Sequence, residues 1–464
     1  MAGLRGRKGA ATLRASRILL AAALARTAAA ADPPRLIVLV TIDTLRADHV
    51  GSYGYSRPTT PFLDSLASRG VVFENAFAAS SMTAPCHASL FTGLYPPQHG
   101  VRQNDQGFAS AGQRRFRTLA EALTAEGYTT AAFSGVGFLR SISQGFLTVD
   151  AGSGDFMKYR QADATIDRAL AWLATHRPEQ RLFLWVHLFD LHPPRRPPTH
   201  GAARLPWSSP AEAERFGLFA IEHGGVVPGV YKTPTALADT YAEYDAELLF
   251  ADHELARLFD RLEAGRFNEH ALWVVTADHG EGLGNHAWID HVRYLYNEAV
   301  RVPLIVYANR QWAGTRVREL ARHVDVMPTL LAAAGLPFGQ RGFTAPGRSL
   351  LPLFDGVRLE PALSFSVRRP WGRDHRDWER GEVYALQDLN WKFIAHTAGR
   401  DEFFDLRNDP LELKNLADQP SPVKDRLAGI THKMFAGLQQ EGSGAVSHVE
   451  RVITEELRAL GYIQ

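Results

Sequence analysis

A chain of 464 residues with 45% hydrophobic and 22% charged side chains can bury a large core, and it predicts one big domain with a smaller one beside it. The formal net charge of +1 leaves no electrostatic footprint for nucleic acid, and a single cysteine excludes an intramolecular disulfide.

The chain opens with Arg5, Arg7, Lys8, Arg14 and Arg17, then the short apolar run Ile18 to Ala25, then Ala28 to Ala31 ahead of Asp32. A basic region, an apolar region and small residues in that order have the layout of a secretory signal. Arg26 interrupts the run, which is too short to span a bilayer. Residues 1–31 are therefore expected to be an export signal for a periplasmic or secreted protein; a disordered basic tail is the alternative.

Arg35-Leu-Ile-Val-Leu-Val-Thr-Ile42 is a continuous apolar, β-branched run, the pattern of a strand covered on both faces in a parallel sheet. Asp43 follows it directly, at the carboxyl end where α/β sheets bind ligands. Pro61 to Gly70 has helical spacing with a glycine stop, and Val71-Val-Phe73 resumes as a strand. Thr83-Ala-Pro-Cys-His-Ala-Ser-Leu-Phe-Thr-Gly93 predicts a loop that turns into a helix, with Pro85 in the first turn and Gly93 at the far end. Thr83 then stands at the helix entrance, where free N–H groups and the positive dipole end favour an anion, and its hydroxyl is either a cap or a nucleophile.

Helix and strand then alternate. Leu119 to Gly127 reads as a helix and Thr129 to Phe133 as a strand; Ala162 to His176 reads as an amphipathic helix feeding the strand Leu182 to Val186. Pro193 to Pro234 is long and irregular, and is expected to form a cover over the site or a solvated surface loop. A long helix follows Tyr241 to about Leu262, with Tyr244, Leu248, Leu255, Leu258 and Leu262 along one stripe. Leu272 to Thr276 is a further buried strand, delivering Asp278-His279-Gly280-Glu281, and Val302 to Tyr307 is one more. This alternation predicts an α/β fold with a large, mostly parallel sheet flanked by helices. From about Phe354 partial alternation, as in Val383 to Ile394, predicts a small α+β domain with an antiparallel sheet, dividing the chain into residues 32–353 and 354–464.

Asp43, Thr83, Asp278 and His279 say more together than any one alone. Two carboxylates, an imidazole and a hydroxyl suit one divalent ion, Ca²⁺, Mg²⁺, Mn²⁺ or Zn²⁺. A metal at Thr83 would lower its hydroxyl pKa and neutralise charge on an attacked ester. Asp278-His279 on its own also fits a satisfied pair at a strand end.

Over residues 35–420 the sequence resembles the sulfatase family of the alkaline phosphatase superfamily. The resemblance rests on ordered segments: Ile37 to Asp43, Pro61 to Ala76, Ala88 to Pro96 with His99-Gly-Val101, Thr276 to Glu281, Arg301 to Ile305, His323 to Leu331, and Phe404 to Glu412 with Asn415-Leu-Ala417. It implies an alkaline-phosphatase-like α/β sandwich around a metal-centred hydrolase site, with the nucleophile at the helix entrance. It also implies substrate contact by His192, from His187-Leu-Phe-Asp-Leu-His192-Pro, as possible proton donor to the leaving oxygen, and by His291, which aligns roughly with the family's sulfate-contacting Lys.

The departures bear on function. Sulfatases carry Cys-x-Pro-x-Arg, or Ser first, and oxidise the first residue to formylglycine, whereas this chain has Thr83-Ala-Pro-Cys-His87, with no formylglycine possible and His87 in place of Arg. Cys86 cannot substitute, since Ala88 stands where its proline would be. The acid that usually follows the first Asp is Thr44, and Ser134-Gly-Val-Gly137 lacks the family's Lys and His. Asp190, His192 and His291 offer an alternative second-metal set. His187 reads as structural within its strand, and Arg102 and Asn104 are further candidates for ester contact, with His87 and Asp190.

These features predict an exported ester hydrolase acting on a small-molecule, glycan or lipid-type sulfate or phosphate ester, with no stable membrane span. A sulfated or phosphorylated Thr needs water for release, and a phosphothreonine is the easier of the two to resolve. Two alternatives are a phosphoryl or phosphoglycerol-type transferase using the same Thr, and a binding protein that lost catalysis with formylglycine.

Overall fold

The computed structural model describes residues 32–109, 116–196, 209–223, 232–309, 312–339, 346–369 and 381–439; the expected export signal lies outside them. The main sheet consists of β1 (Leu36–Ile42), β2 (Val71–Phe77), β3 (Thr129–Ser134), β4 (Thr148–Ala151), β5 (Leu182–Leu188), β6 (Ala271–Ala277), β7 (Arg301–Tyr307), β8 (Thr315–Val317) and β9 (Ala321–Arg322). Its order is β4-β3-β5-β1-β6-β7-β2-β8, with β9 also on β2. β1, β5 and β6 are buried at every position, as their unbroken apolar runs predicted.

The helices of seven or more residues are α1 (Pro61–Ser68), α2 (Thr83–Thr92), α3 (Leu119–Ala125), α4 (Ala162–Leu173), α5 (Pro210–His223), α6 (Pro234–Ala264), α7 (His323–Ala333) and α8 (Pro422–Gln439). α2, α3 and α7 pack on one another, while α1, α4 and α5 pack on α6. The long helix α6 begins at Pro234, earlier than its apolar stripe suggested, because Thr233 accepts the Ala236 N–H and Pro234 occupies the first turn. The expected irregular cover holds a helix, α5, whose Phe216 meets Tyr241 edge-on at 5.4 Å; residues 197–208 and 224–231 of that segment lie outside the described residues. No helix among the described residues is long and apolar enough to cross a membrane.

The sheet is mixed, mostly parallel. β7 runs antiparallel to both β6 and β2, while β1, β3, β5 and β6 are mutually parallel and β2 is parallel to β8 and β9. Pro303 sits mid-strand in β7, where a missing N–H would normally break a ladder. The pairing with β2 skips it: the register passes from Phe73↔Leu304 to Ala76↔Val302 at a bulge, and the Pro303 carbonyl accepts from Thr276 Oγ1 at 2.7 Å. Because β2 opposes β7 and β7 opposes β6, the carboxyl ends of β1, β2, β5 and β6 share one edge of the sheet.

A second, antiparallel sheet joins β10 (Ser364–Arg368), β11 (Val383–Gln387), β12 (Trp391–His396) and β13 (Glu402–Asp405) in that order, with α8 on β11 and β12. It is fastened to the segment that enters α2: Val367 N–H donates to Ala79 O at 3.0 Å and Ser366 Oγ to Ala78 O at 2.6 Å. Lys392, fully buried, meets Glu412 Oε1 at 2.7 Å, and Glu412 Oε2 accepts the Asn297 N–H at 2.6 Å, a buried joint between the two sheets' surroundings.

Candidate active site

β1 lies between β5 and β6, and Ile42 is level with Leu188 on one side and Ala277 on the other. The next residues, Asp43 and Asp278, therefore leave adjacent strands at the same height. The chain turns sharply after Asp43: Thr44 has φ +54, a region costly for a β-branched residue. That conformation is held from both sides, since Thr44 N–H donates to Asp278 Oδ1 at 3.2 Å and its carbonyl accepts from Tyr244 OH at 2.7 Å.

Thr83 is the first residue of α2, which is buried along all its length and ends at Gly93 with φ +67, where the Gly93 N–H returns to Ser89 O. Met82 supplies no side-chain cap; Asn104 Oδ1 does so instead, accepting the Ala84 N–H at 2.9 Å. Thr83 Oγ1 is thus spared the capping role and lies 3.3 Å from His279 Nε2.

Asp43, Asp278 and His279 are fully buried, and each offers a ligand atom within 4.8 Å of the others. His279 Nδ1 is engaged with Gly280 O at 2.9 Å, which leaves Nε2 as the electron-pair donor. Both oxygens of Asp43 and Oδ2 of Asp278 are buried without a hydrogen-bond partner. Burial and the facing Asp278 push the Asp43 carboxyl well up. Burial opposes ionisation of Asp278 too, but the imidazoles of His279, His87 and His187 outweigh it and hold that carboxyl low. Two facing carboxyls with three unpartnered oxygens beside a lone-pair imidazole are the pattern of a pocket shaped for a cation, and the oxygen and nitrogen donors suit a divalent one.

The neighbouring imidazoles are shifted in opposite directions. His192 stacks on Phe189 at 4.3 Å with its Nδ1 against Pro193 O, and burial together with His291 pushes its pKa down to about 3. His291 lies 4.6 Å from the His279 ring and 5.0 Å from that of His192. Burial alone would discharge it, yet Glu281 overcomes this and its pKa is raised. His291 Nδ1 lies 3.3 Å from Glu281 Oε1 and 3.1 Å from Asp290 Oδ1. Glu281, Asp290 and His291 also form a possible ligand group, but Arg195 already pairs with Glu281 Oε2 at 3.3 Å, so this group reads as a clamp on the imidazole. The sequence showed Glu281 only as part of a motif; its partnership with His291 needs the turn that returns the chain ten residues later.

The remaining candidates divide. His87 turns inward, one helical turn after Thr83: Nδ1 meets Thr83 O at 2.8 Å and Nε2 meets Thr41 Oγ1 at 2.9 Å. Asp190 Oδ1 accepts the Ala162 N–H at 2.9 Å, at the start of α4, and Oδ2 is buried without a hydrogen-bond partner. Among the described residues Asp190, His192 and His291 do not bring three ligand atoms within 4.8 Å of one another, so they are not gathered as a second metal set. Arg102 reaches Glu382 at 3.4 Å, toward the second sheet.

With this geometry in place, the sequence matches the sulfatase family over residues 35–336, and over residues 284–440 the family of N-sulphoglucosamine sulphohydrolase C-terminal regions. It is 25% identical to the multifunctional alkaline phosphatase superfamily protein PehA of Trinickia caryophylli, across 90% of this chain and 96% of that protein. Among solved structures, BT4656 in complex with its substrate D-glucosamine-2-N,6-O-disulfate has a TM-score of 0.69 at 19% identity, covering 89% of this chain and 99% of that one. The phosphonate monoester hydrolase of Agrobacterium radiobacter gives 0.67 at 20%, covering 88% and 95%. Family match, fold and the pocket at the sheet edge agree: the chain belongs to the sulfatase family and is a sulfuric or phosphoric ester hydrolase on the alkaline-phosphatase-like fold expected from its sequence.

Proposed function

We propose that this enzyme is exported, that it hydrolyses a phosphorus ester through a covalent intermediate on Thr83, and that Asp43, Asp278, His279 and Thr83 hold one divalent cation. The observation that carries this is the Thr83 hydroxyl at the mouth of a buried helix, relieved of capping by Asn104 and 3.3 Å from His279 Nε2. A cation bound there would acidify the hydroxyl and neutralise charge on the ester oxygens. Helix α2 adds its positive end to the same place.

The protein's own groups then divide the proton transfers. Thr83 Oγ1, its proton lost to solvent once a bound cation has acidified it, attacks as the alkoxide; a bond to phosphorus forms and the bond to the leaving oxygen breaks. His291, held charged by Glu281, supplies the proton that the leaving oxygen needs. His192 is held neutral with Nδ1 turned to Pro193 O, so its Nε2 is the base that takes a proton from water in the second displacement, which frees Thr83 and the acid product. His192 as base rather than proton donor is the assignment its lowered pKa supports. A phosphothreonine suits this second step better than a sulfothreonine, for which formylglycine chemistry exists and is closed to Thr. The comparison proteins include one named for phosphonate monoesters and one solved with a sulfated glucosamine, so the fold accommodates either group.

The test is a panel of aryl sulfate, phosphate monoester, phosphodiester and phosphonate monoester substrates, offered with each divalent metal to the wild type and to Thr83→Ala. Metal-dependent turnover of a phosphorus ester that disappears in Thr83→Ala supports the reading. Turnover of aryl sulfate alone, or undiminished turnover in the variant, refutes it.

A further inference from the structure

The turn that leads into His291 is bent against its residue types. Asn285 to Trp288 close a tight turn in which the Trp288 N–H donates to Asn285 O at 3.0 Å, and both central residues, His286 and Ala287, have positive φ, +49 and +59. Such a turn normally takes Asn and Gly, so His-Ala there needs something outside the turn to hold it. The arms are short: the Gly284 N–H donates to Trp288 O at 2.8 Å and the Gly282 N–H to Asp290 O at 3.1 Å. They carry His291 with them, since Trp288 Nε1–H donates to His291 O at 3.3 Å and Asp290 Oδ1 accepts the His291 N–H at 2.7 Å. Ala287, Ile289 and Asp290 are exposed, so little apolar burial secures this hairpin.

Polar contacts secure it instead, and two of them come from the His286 ring. Its Nδ1 lies 2.6 Å from Glu298 Oε1, its Nε2 lies 3.0 Å from the backbone carbonyl of Glu412, and its face stacks on Tyr296 at 3.6 Å. A carbonyl only accepts, and between a carboxylate and an imidazole the imidazole is the stronger base, so both ring nitrogens carry protons. A neutral ring could serve only one of the two acceptors. Burial opposes the charge, but Glu298 outweighs it and the pKa of His286 is raised. The anchors stand independently of the hairpin. Glu412, which follows β13, is itself fixed by Lys392 of β12 at 2.7 Å and by the Asn297 N–H at 2.6 Å. The other charged and titratable neighbours are Tyr296, whose OH meets Glu402 Oε2 at 2.5 Å, and Arg46, which donates to Asn285 Oδ1 at 2.8 Å while paired with Asp48.

We propose that His286 is a positioning residue: as an imidazolium it fastens the hairpin to the segment beside the second sheet, and His291 is held in the site only while that proton is bound. The part concerning His291 rests on the proposed function, in which its imidazole faces the leaving oxygen. When His286 loses its proton to solvent, one ring nitrogen becomes an electron pair facing an oxygen, one fastening breaks and the strained turn relaxes. Activity then falls on the alkaline side through a group that touches no substrate.

The experiment follows amide hydrogen exchange of peptides spanning residues 282–293 from pH 6 to 9.5, expressed as protection so that the intrinsic pH dependence drops out, beside kcat and KM. Wild type, His286→Asn, His286→Gln and Glu298→Gln are compared, with near-UV circular dichroism to establish folding. Asn tolerates positive φ, so His286→Asn removes the charge without straining the turn. The wild type is expected to lose protection of the hairpin as pH rises, with a midpoint that Glu298→Gln moves down by roughly one unit. Both His286 variants are expected to be poorly protected already at pH 6, with no midpoint. Their kcat should fall roughly tenfold to hundredfold on an ester with a poor leaving alcohol and much less on an activated aryl ester, with KM little changed. Folded His286 variants with wild-type protection, or a wild-type midpoint that Glu298→Gln leaves in place, would overturn the proposal and leave the role of His291 standing. Protection lost in the variants with kcat unchanged on both esters would overturn the role of His291, and the positioning claim with it.

Discussion

Asp43→Asn should stabilise the metal-free protein and destabilise the metal-loaded one. In the stripped protein the Asp43 carboxyl is buried against Asp278 with neither oxygen hydrogen-bonded, and its pKa is raised by burial and by that neighbour. For a group whose folded pKa lies above its unfolded one, the contribution to stability is complete below the ordinary carboxylate range and is lost as pH rises through the folded value. Each unit of elevation corresponds to about 1.4 kcal/mol. An amide removes that loss and offers N–H groups to Asp278 Oδ2, so at pH 8 the stripped variant should melt above the stripped wild type. Metal reverses the order. A cation at a thousand times its Kd adds about 4 kcal/mol to the wild type. Set against an unfolding entropy of roughly 1 kcal/mol/K for a chain of this length, that is a rise of about 4 °C in Tm. The variant, lacking a ligand, should gain almost none of it. Scanning calorimetry of both proteins at pH 6 and 8, with chelator and with metal, gives the eight melting points. Parallel gains from metal in the two proteins, or a stripped variant that melts below the stripped wild type at pH 8, would refute the account of this pocket.

Thr83→Ala should lower kcat by roughly 10³-fold or more. The metal content should stay close to that of wild type, because Asp43, Asp278 and His279 remain; elemental analysis beside steady-state assays checks both. Thr83→Ser keeps the hydroxyl and should keep measurable turnover. Glu247 and Asp190 are buried, each with one oxygen lacking a hydrogen-bond partner, and burial raises their carboxyls to about 8 and about 7. Their contribution is present below the ordinary carboxylate range and lost as pH rises to those values, so Glu247→Gln should raise Tm at pH 9 and have little effect at pH 4. Lys392→Met should cost roughly 3–5 kcal/mol in urea unfolding, since it leaves Glu412 charged and buried; combining it with Glu412→Gln should restore part of that.

Local signals marked where elements begin and end better than they marked strand direction and side-chain partners. Punctuation by Pro85 and Gly93 placed the start of α2, and the unbroken apolar runs before Asp43 and Asp278 identified strands whose ends meet. The direction of β7 was not legible, because strand polarity depends on which neighbours it joins and its one local mark, Pro303, is explained only by the bulge in β2. α5 was missed within a segment whose Pro, Gly and Arg content resembles a loop. The partners of a side chain were the least legible feature. Asn104, a candidate ester contact, also caps α2; Asp190, a candidate ester contact or second-metal ligand, also accepts the first N–H of α4. That His187, read as structural, lies 3.4 Å from Asp43 was not legible, because a fully buried run carries no sign of which face meets the site.

The central claim is that Thr83 becomes covalently attached to the transferred group. Rapid acid quench during turnover of a slow phosphorus ester, followed by peptide mass spectrometry, reads this directly. The account predicts a phosphoryl-group mass on Thr83 of the peptide that contains His87, accumulating further in a His192→Ala variant. Turnover with that peptide unmodified, or the added mass on another residue, would contradict it.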